Sequence, residues 1–358
     1  MLQALSRIEP AAEVLWVGGI GGMEAELVQR AGLPYTEIPA AGLHGVGWRN
    51  LPRNISQMLR GISRSRQILS RFRPDVLFFT GGYVAGPMAF AGRRLPALVY
   101  VPDIEPGLAL KSIARFADQI TVTTADSTRY FNKPHKVVVT GYPTRPDLHN
   151  WDRQAARQVF ELNKAEPVLL VTGGSKGARS INQAVINNLD GLLSITQIIH
   201  ITGQLDWPVV EAQRTSLAPA QAVRYRVYPY LHAEMGAALA AADLVVARAG
   251  ASTLGEFPLF GLPAILVPYP HAWRYQQVNA QFLVQRGAAE IVDDARLGNQ
   301  LLRVVSRLLS NPESLEQMRK AMQALAQSDS AEKIARLLTA MAASRHRGEG
   351  RRFPMPRW

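Results

Sequence analysis

The amino-acid sequence predicts an α/β protein built from two doubly wound domains, whose parallel sheets face a central cleft. The chain has 358 residues, which is more than one hydrophobic core usually serves, so two domains are expected. Short β-branched runs alternate with helical patterns along its length, an order typical of parallel sheets covered by helices on both faces. Four glycine-rich segments follow such runs, at the strand ends where open parallel sheets bind ligands.

The first half contains five predicted strands. They are EVLWV (13–17), DVLFF (75–79), ALVYV (97–101), QITVT (119–123) and KVVVT (136–140). The periodicity breaks at GYPTRPDLHNWD (141–152), where glycine, two prolines and polar residues precede a new helical pattern. The sequence therefore predicts a first domain of residues 1–144 and a second domain of residues 145–328.

The second half repeats the alternation. Its predicted strands are PVLLV (167–171), QIIHI (197–201), RYRVY (224–228), DLVVA (243–247), AILVP (264–268) and AEIV (289–292). We expect residues 329–343 to form a C-terminal helix that returns to the first domain. Residues 344–358 are basic and without periodicity, which predicts a disordered tail.

The positive charge is concentrated in two segments. The net charge is +12, seven arginines and no acid lie between Arg49 and Arg73, and residues 344–358 carry five arginines against Glu349. A protein that coats nucleic acid more often spreads its charge along a whole face, so no specific nucleic-acid partner is expected. Local patches predict a local anionic partner, and a membrane surface is one.

The first basic segment reads as an amphipathic helix after Trp48. Its apolar residues recur at helical spacing and are Ile55, Met58, Leu59, Ile62, Leu69 and Phe72. Such a helix can lie on an anionic bilayer. It can also pack its apolar stripe on the sheet while its arginines face water, which is the favoured interpretation of the stripe itself. The charge can recruit the surface in either case.

Apolar runs, the N-terminal pattern and the cysteine content indicate the cellular compartment. No apolar run approaches the roughly 20 residues that span a bilayer, and the N-terminus lacks the pattern of a secretory signal. The chain has no cysteine, which excludes disulfides and thiolate chemistry. These features predict a cytoplasmic protein.

The segment GGSKGAR (173–179) follows a predicted strand and precedes a helical pattern. Glycines let the backbone approach a ligand, and free amides at a helix start favour an anion. Lys176 or Arg179 can add a full charge. A tight turn without a ligand explains the same segment about equally well. The residues that we expect to bind are Gly173, Gly174, Ser175, Lys176 and Gly177.

The segment RAGASTLGE (248–256) also follows a predicted strand and opens a helix that Ser252 or Thr253 can cap. Glu256 lies in the first turns of that helix. Its carboxylate can accept two hydrogen bonds from vicinal ribose hydroxyls, which a nucleotide supplies. A favourable interaction with the helix dipole is the alternative explanation.

Two adjacent amides follow the next predicted strand. Gln276 and Gln277 begin a helix after the loop PYPHAWRY (268–275), and their donors and acceptors suit sugar hydroxyls. Surface glutamines are more often only solvated.

Together these segments resemble glycosyltransferase family 28. GGSKGAR, TGQ (202–204), YLHAEMGAALAAADLVVARAGASTLGE (230–256) and GLPAILVPYPHAWRYQQVNA (261–280) follow the family's donor domain in order and spacing. VGGIGGMEAELVQRAGLPYTEIPAAGLHG (17–45), RPDVLFFTGGYVAGP (73–87) and VVVTGYPTRP (137–146) match its first domain. The resemblance runs from about Ala4 to about Leu337 and implies the GT-B fold of two Rossmann-like domains.

The resemblance also implies substrates and site residues. It predicts an inverting transfer of GlcNAc from UDP-GlcNAc to lipid I, an undecaprenyl-linked acceptor, to form lipid II in peptidoglycan synthesis. The enzyme would act as a peripheral protein on the cytoplasmic face of the membrane. Gln276 and Gln277 would face the GlcNAc, and Tyr83 would lie on the acceptor side. Contacts to the uracil, ribose and diphosphate are implied for Arg145, Ser175, Thr253, Leu254 and Glu256, and Arg248 and Gly250 complete the predicted donor-binding set.

The sequence departs from the family at its start. The family opens with a strand and a GGTGGH-type loop, whose histidine is a favoured candidate for the catalytic base, and this sequence begins after both. We therefore expect the first sheet to lack a central strand, which leaves unpaired backbone groups and an apolar seam. Activity of the chain is accordingly an open question.

A second departure concerns the acceptor loop. PDIEPG (102–107) stands where the family has HEQN. Asp103 and Glu105 are candidate bases at a strand end, although such carboxylates serve as often as helix caps or loop acceptors. The sequence has no Asp-x-Asp motif; it therefore predicts no metal site and no required cofactor, and the need for a divalent metal is left open.

Two alternatives to lipid II synthesis follow from these departures. One is a family-28 transferase with another lipid acceptor, motivated by PDIEPG. Another is a catalytically impaired UDP-sugar-binding protein, motivated by the absent loop. A dinucleotide dehydrogenase is disfavoured, because no G-x-G-x-x-G follows a strand with an acid roughly 20 residues later.

Overall fold

The computed structural model describes residues 1–22, 24–41, 51–174, 177–271 and 274–346. Its contacts divide the chain into two units, Met1–Gly141 with Asp329–Trp358, and Tyr142–Ser328. The break after Gly141 lies close to the boundary expected after residue 144. Trp48 and residues 347–358 of the expected tail lie outside the described residues.

The first unit contains two separate parallel sheets. One pairs β1 (Trp16–Gly19) with β2 (Tyr35–Ile38). The other runs, in spatial order, through β3 (Leu77–Phe79), β4 (Ala97–Val101), β5 (Gln119–Val122) and β6 (Val137–Val139). All five β4 residues are buried, as the continuous apolar run ALVYV requires of a strand covered on both faces. Strand β2 was not predicted, and β1 starts at Trp16 rather than at residue 13.

Helices alternate with these strands. They are α1 (Leu2–Ile8), α2 (Glu24–Arg30), α3 (Leu51–Phe72), α4 (Ala85–Ala91) and α5 (Leu108–Ile113). The core of the unit lies between β3, β4 and β5 and the helices α3, α4 and α5, with Val99, Met88 and Ile113 among its buried members. The apolar runs of the sequence are thereby removed from water.

Helix α3 only partly matches its predicted stripe. Gly61, Ser65 and Ile68 form its buried side, and a Cβ on Gly61 would lie 2.2 Å from the carbonyl oxygen of Pro39, so the helix packs closely there. Ile55 is 46% exposed and Leu59 is 62% exposed. Ile55 and Leu59 of the stripe are therefore not covered by the described part of this unit, whereas Met58 is partly buried beside Gly86 of α4.

The second unit is built on one six-stranded parallel sheet with the order β12-β11-β10-β7-β8-β9. All six strands predicted for this half are present, and this prediction is confirmed. They are β7 (Val168–Thr172), β8 (Gln197–Ile201), β9 (Tyr225–Tyr228), β10 (Leu244–Ala247), β11 (Ala264–Leu266) and β12 (Ala289–Ile291).

Among the residues described for this unit, ten α-helices accompany the sheet. They are α6 (Arg153–Val159), α7 (Arg179–Asn187), α8 (Leu189–Ile195), α9 (Trp207–Thr215), α10 (Pro219–Ala222), α11 (Met235–Ala241), α12 (Thr253–Phe260), α13 (Tyr275–Gln285), α14 (Leu297–Leu309) and α15 (Pro312–Gln323). Strands β7 and β10 are buried at every position. A sheet buried on both faces positions the loops at its strand ends rigidly.

The last helix, α16 (Ser330–His346), belongs to the first unit and packs against α1. It continues beyond residue 343, where the tail was expected to begin, because its end is held to the first unit. Arg345 donates to the carbonyl of Pro74, and the Nε2 atom of His346 lies 3.3 Å from a carboxylate oxygen of Asp75. Within the described residues, no helix is both long enough and apolar enough to span a bilayer.

Candidate functional site

Three neighbouring strands of the second unit end at one level of the sheet. Thr172 at the end of β7 is in register with Ala247 of β10, which is in register with Leu266 of β11. The loops that follow these strands therefore emerge side by side. Strand β7 lies between β8 and β10, so the chain changes direction across the sheet at this point. Open parallel sheets form a ligand crevice at such a reversal.

The glycine loop after β7 is shaped by its own packing. Gly177 donates its N–H to the carbonyl of Gly174 over 2.9 Å, and both residues have positive φ. A Cβ on Gly173 would lie 2.2 Å from the nitrogen of Ala178, and one on Gly177 would lie 2.2 Å from the carbonyl oxygen of Thr202. At Gly174 a Cβ would meet nothing within 4 Å. The turn therefore requires glycine at positions 173 and 177, whereas the space beside the Cα atom of Gly174 is open.

A buried polar chain holds the start of α7 beneath this loop. The Nδ2 atom of Asn182 donates to the carbonyl of Thr202 and to the carboxylate of Asp206. Its Oδ1 atom lies 2.9 Å from Nε2 of His200, whose Nδ1 atom lies 2.7 Å from the hydroxyl of Tyr225. Burial lowers the pKa of His200 to about 3, so the ring is neutral. Asn182 offers only an acceptor there, hence Nε2 carries the proton and Tyr225 donates to Nδ1.

Arg248 opens the second loop and is engaged by several protein groups. Its Nη1 atom donates to the carbonyl of Val267 over 3.0 Å and to the carboxylate of Asp294 over 2.5 Å, and its Nη2 atom donates to Oγ of Ser180 over 2.7 Å. The guanidinium also lies 5.2 Å from the ring centroid of Tyr269. The side chain is 11% exposed. Arg248 therefore joins three loops of the site, with its charge balanced by Asp294.

Glu256 lies one turn into α12 in a partly buried position. Burial raises the pKa of its carboxyl to about 7, Arg145 opposes this shift, and Asp147 adds to it. Arg145 also donates to the carbonyl of His232 over 3.4 Å and lies 3.6 Å from a carboxylate oxygen of Asp147. A carboxyl group that titrates near neutrality can accept hydrogen bonds from a ligand once ionised, and a pKa perturbed by burial in a crevice marks a functional candidate.

The start of α12 combines an engaged hydroxyl with an open backbone. Thr253 donates through Oγ1 to the carbonyl of Gly250 over 2.7 Å, and its side chain and that of Leu254 are buried. Neither residue presents an exposed side chain. At Gly250 a Cβ would meet nothing within 4 Å. The second loop, like the first, has an open glycine beside it.

Side-chain amides of helix α13 hold it to the loops that follow β10 and β11. Gln276 accepts from the N–H of Tyr269 through Oε1 over 2.8 Å, which leaves its amide nitrogen as the group that a sugar hydroxyl can meet. Gln277 follows it and is half-buried. The buried Asn279 donates to the carbonyl of Ala249 over 3.1 Å. Ser175 and Lys176, predicted with these residues, lie outside the described part of the chain.

Three predicted residues lie in the first unit. Tyr83 follows β3 and is 62% exposed. Asp103 and Glu105 follow β4, whose Val99 is in register with Phe79 of β3. Their loop is anchored where Oγ1 of Thr123 donates to the carbonyl of Pro102 over 2.7 Å. Tyr83 and the two carboxylates therefore lie on loops from the carboxyl ends of adjacent strands.

The structure adds residues that the sequence did not single out. Ser180, Asp294 and Asn279 position the two loops, and Asn182 and His200 support the first loop from below. Asp294 lies three residues after the end of β12, so a search of every strand end would have found it. No pattern in the sequence indicates the buried pairing of His200 with Asn182. Within the described residues there is no cluster of three histidine or carboxylate side chains that could hold a metal ion.

The fold and this crevice define a class: two-unit α/β proteins whose parallel sheets bind nucleotide-type ligands at strand ends. The model of the glycosyltransferase family 28 N-terminal domain matches residues 1–122, and that of the family 28 C-terminal domain matches residues 168–335. The chain belongs to glycosyltransferase family 28. The GT-B fold and the glycosyltransferase class expected from the sequence are thereby confirmed.

Named relatives are similar over nearly the whole chain. A UDP-N-acetylglucosamine--N-acetylmuramyl-(pentapeptide) pyrophosphoryl-undecaprenol N-acetylglucosamine transferase from Roseiflexus sp. is 40% identical, covering 92% of this chain and 84% of the relative. The protein of the same name from Desulforamulus reducens is 39% identical, covering 87% and 86%. The crystal structure of Acinetobacter baumannii MurG matches with a TM-score of 0.73 and 25% identity, covering 94% of each chain.

A more distant likeness concerns the fold alone. The UDP-GlcNAc 2-epimerase from Neisseria meningitidis, solved with UDP-GlcNAc bound, matches with a TM-score of 0.63 and 12% identity, covering 92% of this chain and all of that one. The same architecture therefore occurs in enzymes of different activity, and function must be argued from the site.

Proposed function

We propose that this protein transfers GlcNAc from UDP-GlcNAc to an undecaprenyl-linked MurNAc-pentapeptide acceptor, with inversion at the anomeric carbon. The observation that carries the proposal is the crevice of the second unit, where the loops with the open glycines Gly174 and Gly250 and the helix of Glu256 follow β7 and β10 at the chain reversal. The names of the relatives supply the sugar nucleotide and the acceptor. The product is lipid II, a precursor of peptidoglycan.

We assign the diphosphate, the ribose and the GlcNAc of the donor to separate groups in the crevice. The backbone at Gly174 and Gly250 is open to a diphosphate, and the free amides at the starts of α7 and α12 favour its charge. Glu256 accepts from the ribose hydroxyls, and Arg145 keeps part of its carboxyl ionised. Gln276 and Gln277 meet the GlcNAc hydroxyls. Arg248 positions the loops that bind the diphosphate.

The reaction is a displacement at the anomeric carbon. The acceptor hydroxyl gives its proton to a base as its oxygen attacks the anomeric carbon, the bond from that carbon to the diphosphate oxygen breaks, and UDP leaves with the negative charge. Fixed amide dipoles act where that charge develops and contribute more than the base does. For the base we propose Asp103 or Glu105, and Tyr83 for the acceptor side.

Transfer of radiolabelled GlcNAc tests the proposal. The parent chain is incubated with labelled UDP-GlcNAc and a lipid I analogue, and labelled lipid is counted. We expect transfer by the parent and at least a tenfold loss in Gly250→Ala, because a methyl group would occupy the open space. Gly298→Ala is the matched control, since its Cβ also meets nothing within 4 Å but lies on α14. Equal transfer by all three chains refutes the assigned crevice, and transfer only to other lipids in an acceptor panel refutes the assigned acceptor.

The membrane assignment depends on α3. Its exposed residues Ile55 and Leu59 lie beside Arg53 and Arg60, which together favour an anionic bilayer surface. We propose peripheral binding at the cytoplasmic face, where this acceptor would be met.

Vesicle co-sedimentation tests the membrane proposal. We expect binding to phosphatidylglycerol vesicles that weakens with salt and falls at least fivefold in Leu59→Ser/Arg60→Glu. Arg336→Glu on α16 is the control for the change of charge. Equal binding of the double variant and this control would refute a role for α3.

A second candidate function is UDP-sugar binding without turnover. The separation of the β1–β2 sheet from the four-stranded sheet favours it, because the first unit is then incompletely assembled. Calorimetric binding of UDP-GlcNAc without transfer to any acceptor of the panel would establish this candidate, whereas measured transfer would exclude it.

A further inference from the structure

A histidine that the proposed reaction does not use lies in the core of the second unit. His200 is fully buried in β8, in register with Val171 of β7 and Val227 of β9. An imidazole in such a place costs free energy unless its ring nitrogens find partners. Both do: Nδ1 lies 2.7 Å from the hydroxyl of Tyr225, and Nε2 lies 2.9 Å from Oδ1 of Asn182. An apolar side chain would fill the same space without needing partners, so the polar groups of His200 indicate a role of their own.

The direction of each hydrogen bond follows from what the partners of His200 can donate. Burial lowers the pKa of His200 to about 3, against the opposing effect of the Asp206 carboxylate, so the ring carries a single proton. Burial also raises the pKa of Tyr225, whose hydroxyl therefore keeps its proton and donates a hydrogen bond to Nδ1. The proton of the ring is then on Nε2, which donates to Oδ1 of Asn182.

The hydrogen bond from Nε2 favours one of the two orientations of the Asn182 amide. With Oδ1 toward His200, both N–H groups of Nδ2 are directed at acceptors, which are the carbonyl of Thr202 over 2.9 Å and the carboxylate of Asp206 over 2.8 Å. Rotation of the amide by half a turn would bring Nδ2 against the N–H of Nε2, and Oδ1 against two acceptors. Loss of the His200 N–H would take from Oδ1 the donor that it has among the described residues, and would weaken the preference for this orientation.

The Asn182 amide is connected to the glycine loop through the carbonyl of Thr202. A Cβ on Gly177 would lie 2.2 Å from that carbonyl oxygen, so the oxygen packs directly against Cα of Gly177. Gly177 in turn closes the loop by donating its N–H to the carbonyl of Gly174 over 2.9 Å. Protein interiors are close-packed, and a shift of one group is passed to the groups in contact with it. A shift of the Thr202 carbonyl therefore moves the loop.

The same amide is connected to the first turn of α7. Asp206 accepts from Nδ2 of Asn182 through one carboxylate oxygen and from Nε of Arg179 through the other, over 3.1 Å. Arg179 is the first residue of α7 and Asn182 the fourth, so one carboxylate contacts the helix at both ends of its first turn. The glycine loop and the free amides at the start of this helix are where the diphosphate is proposed to bind. Asn182 is therefore connected to both parts of that site.

We propose that His200 is a positioning residue for the glycine loop, and through this loop for the diphosphate of the sugar nucleotide. It acts by fixing the amide of Asn182, which sets the Thr202 carbonyl against Gly177. It touches no substrate atom. The part that concerns the diphosphate rests on the proposed function, whereas the loop is positioned in the unliganded chain as well.

Two amide substitutions separate the two hydrogen bonds of His200. The amide nitrogen of glutamine stands as many bonds from Cβ as Nε2 of histidine, so His200→Gln keeps a donor for Asn182. The carbonyl oxygen of asparagine stands as many bonds from Cβ as Nδ1, so His200→Asn keeps an acceptor for Tyr225 but does not reach Asn182. Thr196→Val is the control for the loss of a buried hydrogen bond, because the Thr196 hydroxyl donates to the carbonyl of Pro167 over 2.9 Å at the opposite end of β8.

Hydrogen exchange of the Gly177 amide is measured by NMR without ligand, and the affinity for UDP-GlcNAc is measured by calorimetry. We expect exchange to be at least about tenfold faster, and Kd to be at least about tenfold higher, in His200→Asn than in His200→Gln. Thr196→Val should stay within about threefold of the parent in both measurements, because it acts at a distant site. A purely structural role of His200 would lower the stability of both His200 variants without separating them.

The outcomes distinguish this proposal from the proposed function. Equal exchange at Gly177 in the two His200 variants would overturn the proposal, and faster exchange in His200→Asn with equal affinity would overturn the part that concerns the diphosphate. A parent chain that binds no UDP-GlcNAc would refute the proposed function, and exchange at Gly177 would still decide whether His200 positions the loop.

The ring nitrogens of His200 in the parent chain provide a test that needs no variant. We expect nitrogen NMR of the imidazole to show its proton on Nε2. A proton on Nδ1 alone would overturn the proposal, since Nε2 could then not donate to Asn182.

Discussion

Replacing Glu256 with glutamine should raise the stability of the second unit at pH 8 and weaken its binding of UDP-GlcNAc. Burial raises the pKa of this carboxyl to about 7, from an ordinary value of 4.5. Between these values the folded chain holds a proton that the unfolded chain has released, so stability falls as pH rises through this window. Below pH 4.5 both the folded and the unfolded chain hold the proton, and the raised pKa no longer lowers the free energy of unfolding.

The size of this cost follows from the shift. About 2.5 pKa units correspond to about 3 kcal/mol at pH values above 7, and partial contact with water reduces this to between about 1 and 3 kcal/mol. Glutamine is neutral at every pH and nearly the same shape. We therefore expect the free energy of unfolding of Glu256→Gln to exceed that of the parent by about 1 to 3 kcal/mol at pH 8. At pH 4.5 the two chains should unfold at the same denaturant concentration.

Urea unfolding at pH 4.5, 6 and 8 measures this difference. Glu313→Gln on α15 is the control, because Glu313 is exposed and its replacement should change the free energy of unfolding by less than about 1 kcal/mol. The same Glu256→Gln variant should bind UDP-GlcNAc at least about tenfold more weakly at pH 8, since hydrogen bonds to a charged acceptor contribute about 1.5 to 3 kcal/mol. A variant that is less stable than the parent at pH 8 would refute the reasoning.

Two further predictions concern the loops. Arg248→Lys should lower the free energy of unfolding by about 1 to 3 kcal/mol, because lysine cannot reach Asp294, Ser180 and the Val267 carbonyl together. A double-mutant cycle with Asp294→Asn should give a coupling energy of at least about 1 kcal/mol. Additive effects of the two substitutions would contradict the network. Gly177→Ala should cost more than about 3 kcal/mol, since its Cβ would meet the Thr202 carbonyl. Gly174→Ala should cost only about 1 to 2 kcal/mol from its positive φ. Equal melting temperatures for the two alanine variants would contradict the packing of this turn.

The sequence predicted the second unit better than the first for physical reasons. Strands such as QIIHI are buried on both faces and read as continuous apolar runs. Strand β2 has the sequence YTEI, is partly exposed, and pairs only with β1 among the described strands, so it carries little apolar signal. In α3 the helical period was visible, but which part of its stripe is covered depends on contacts with Pro39 and Pro87, and these come from elsewhere in the chain.

The site shows the same limit. Glycine-rich loops after strands are local signals, and they indicated the strand ends at which to search for a site. The sequence did not show that Gly173 and Gly177 meet their own backbone whereas Gly174 and Gly250 are open. It placed Arg248 in the donor-binding set but did not show that its side chain is held by Ser180 and Asp294, because these partners are distant in the chain. Glu256 could be proposed from its place on α12, but its raised pKa depends on burial and on Arg145.

Calorimetric titration with UDP-GlcNAc tests the central claim most directly. The parent, Gly250→Ala and Gly298→Ala are compared at pH 8 after their melting temperatures are shown to agree within about 3 °C. The account predicts binding by the parent and by Gly298→Ala, and at least a tenfold rise in Kd for Gly250→Ala, whose methyl group would stand in the open space of the crevice. Equal affinity in all three chains would contradict a donor site between these loops.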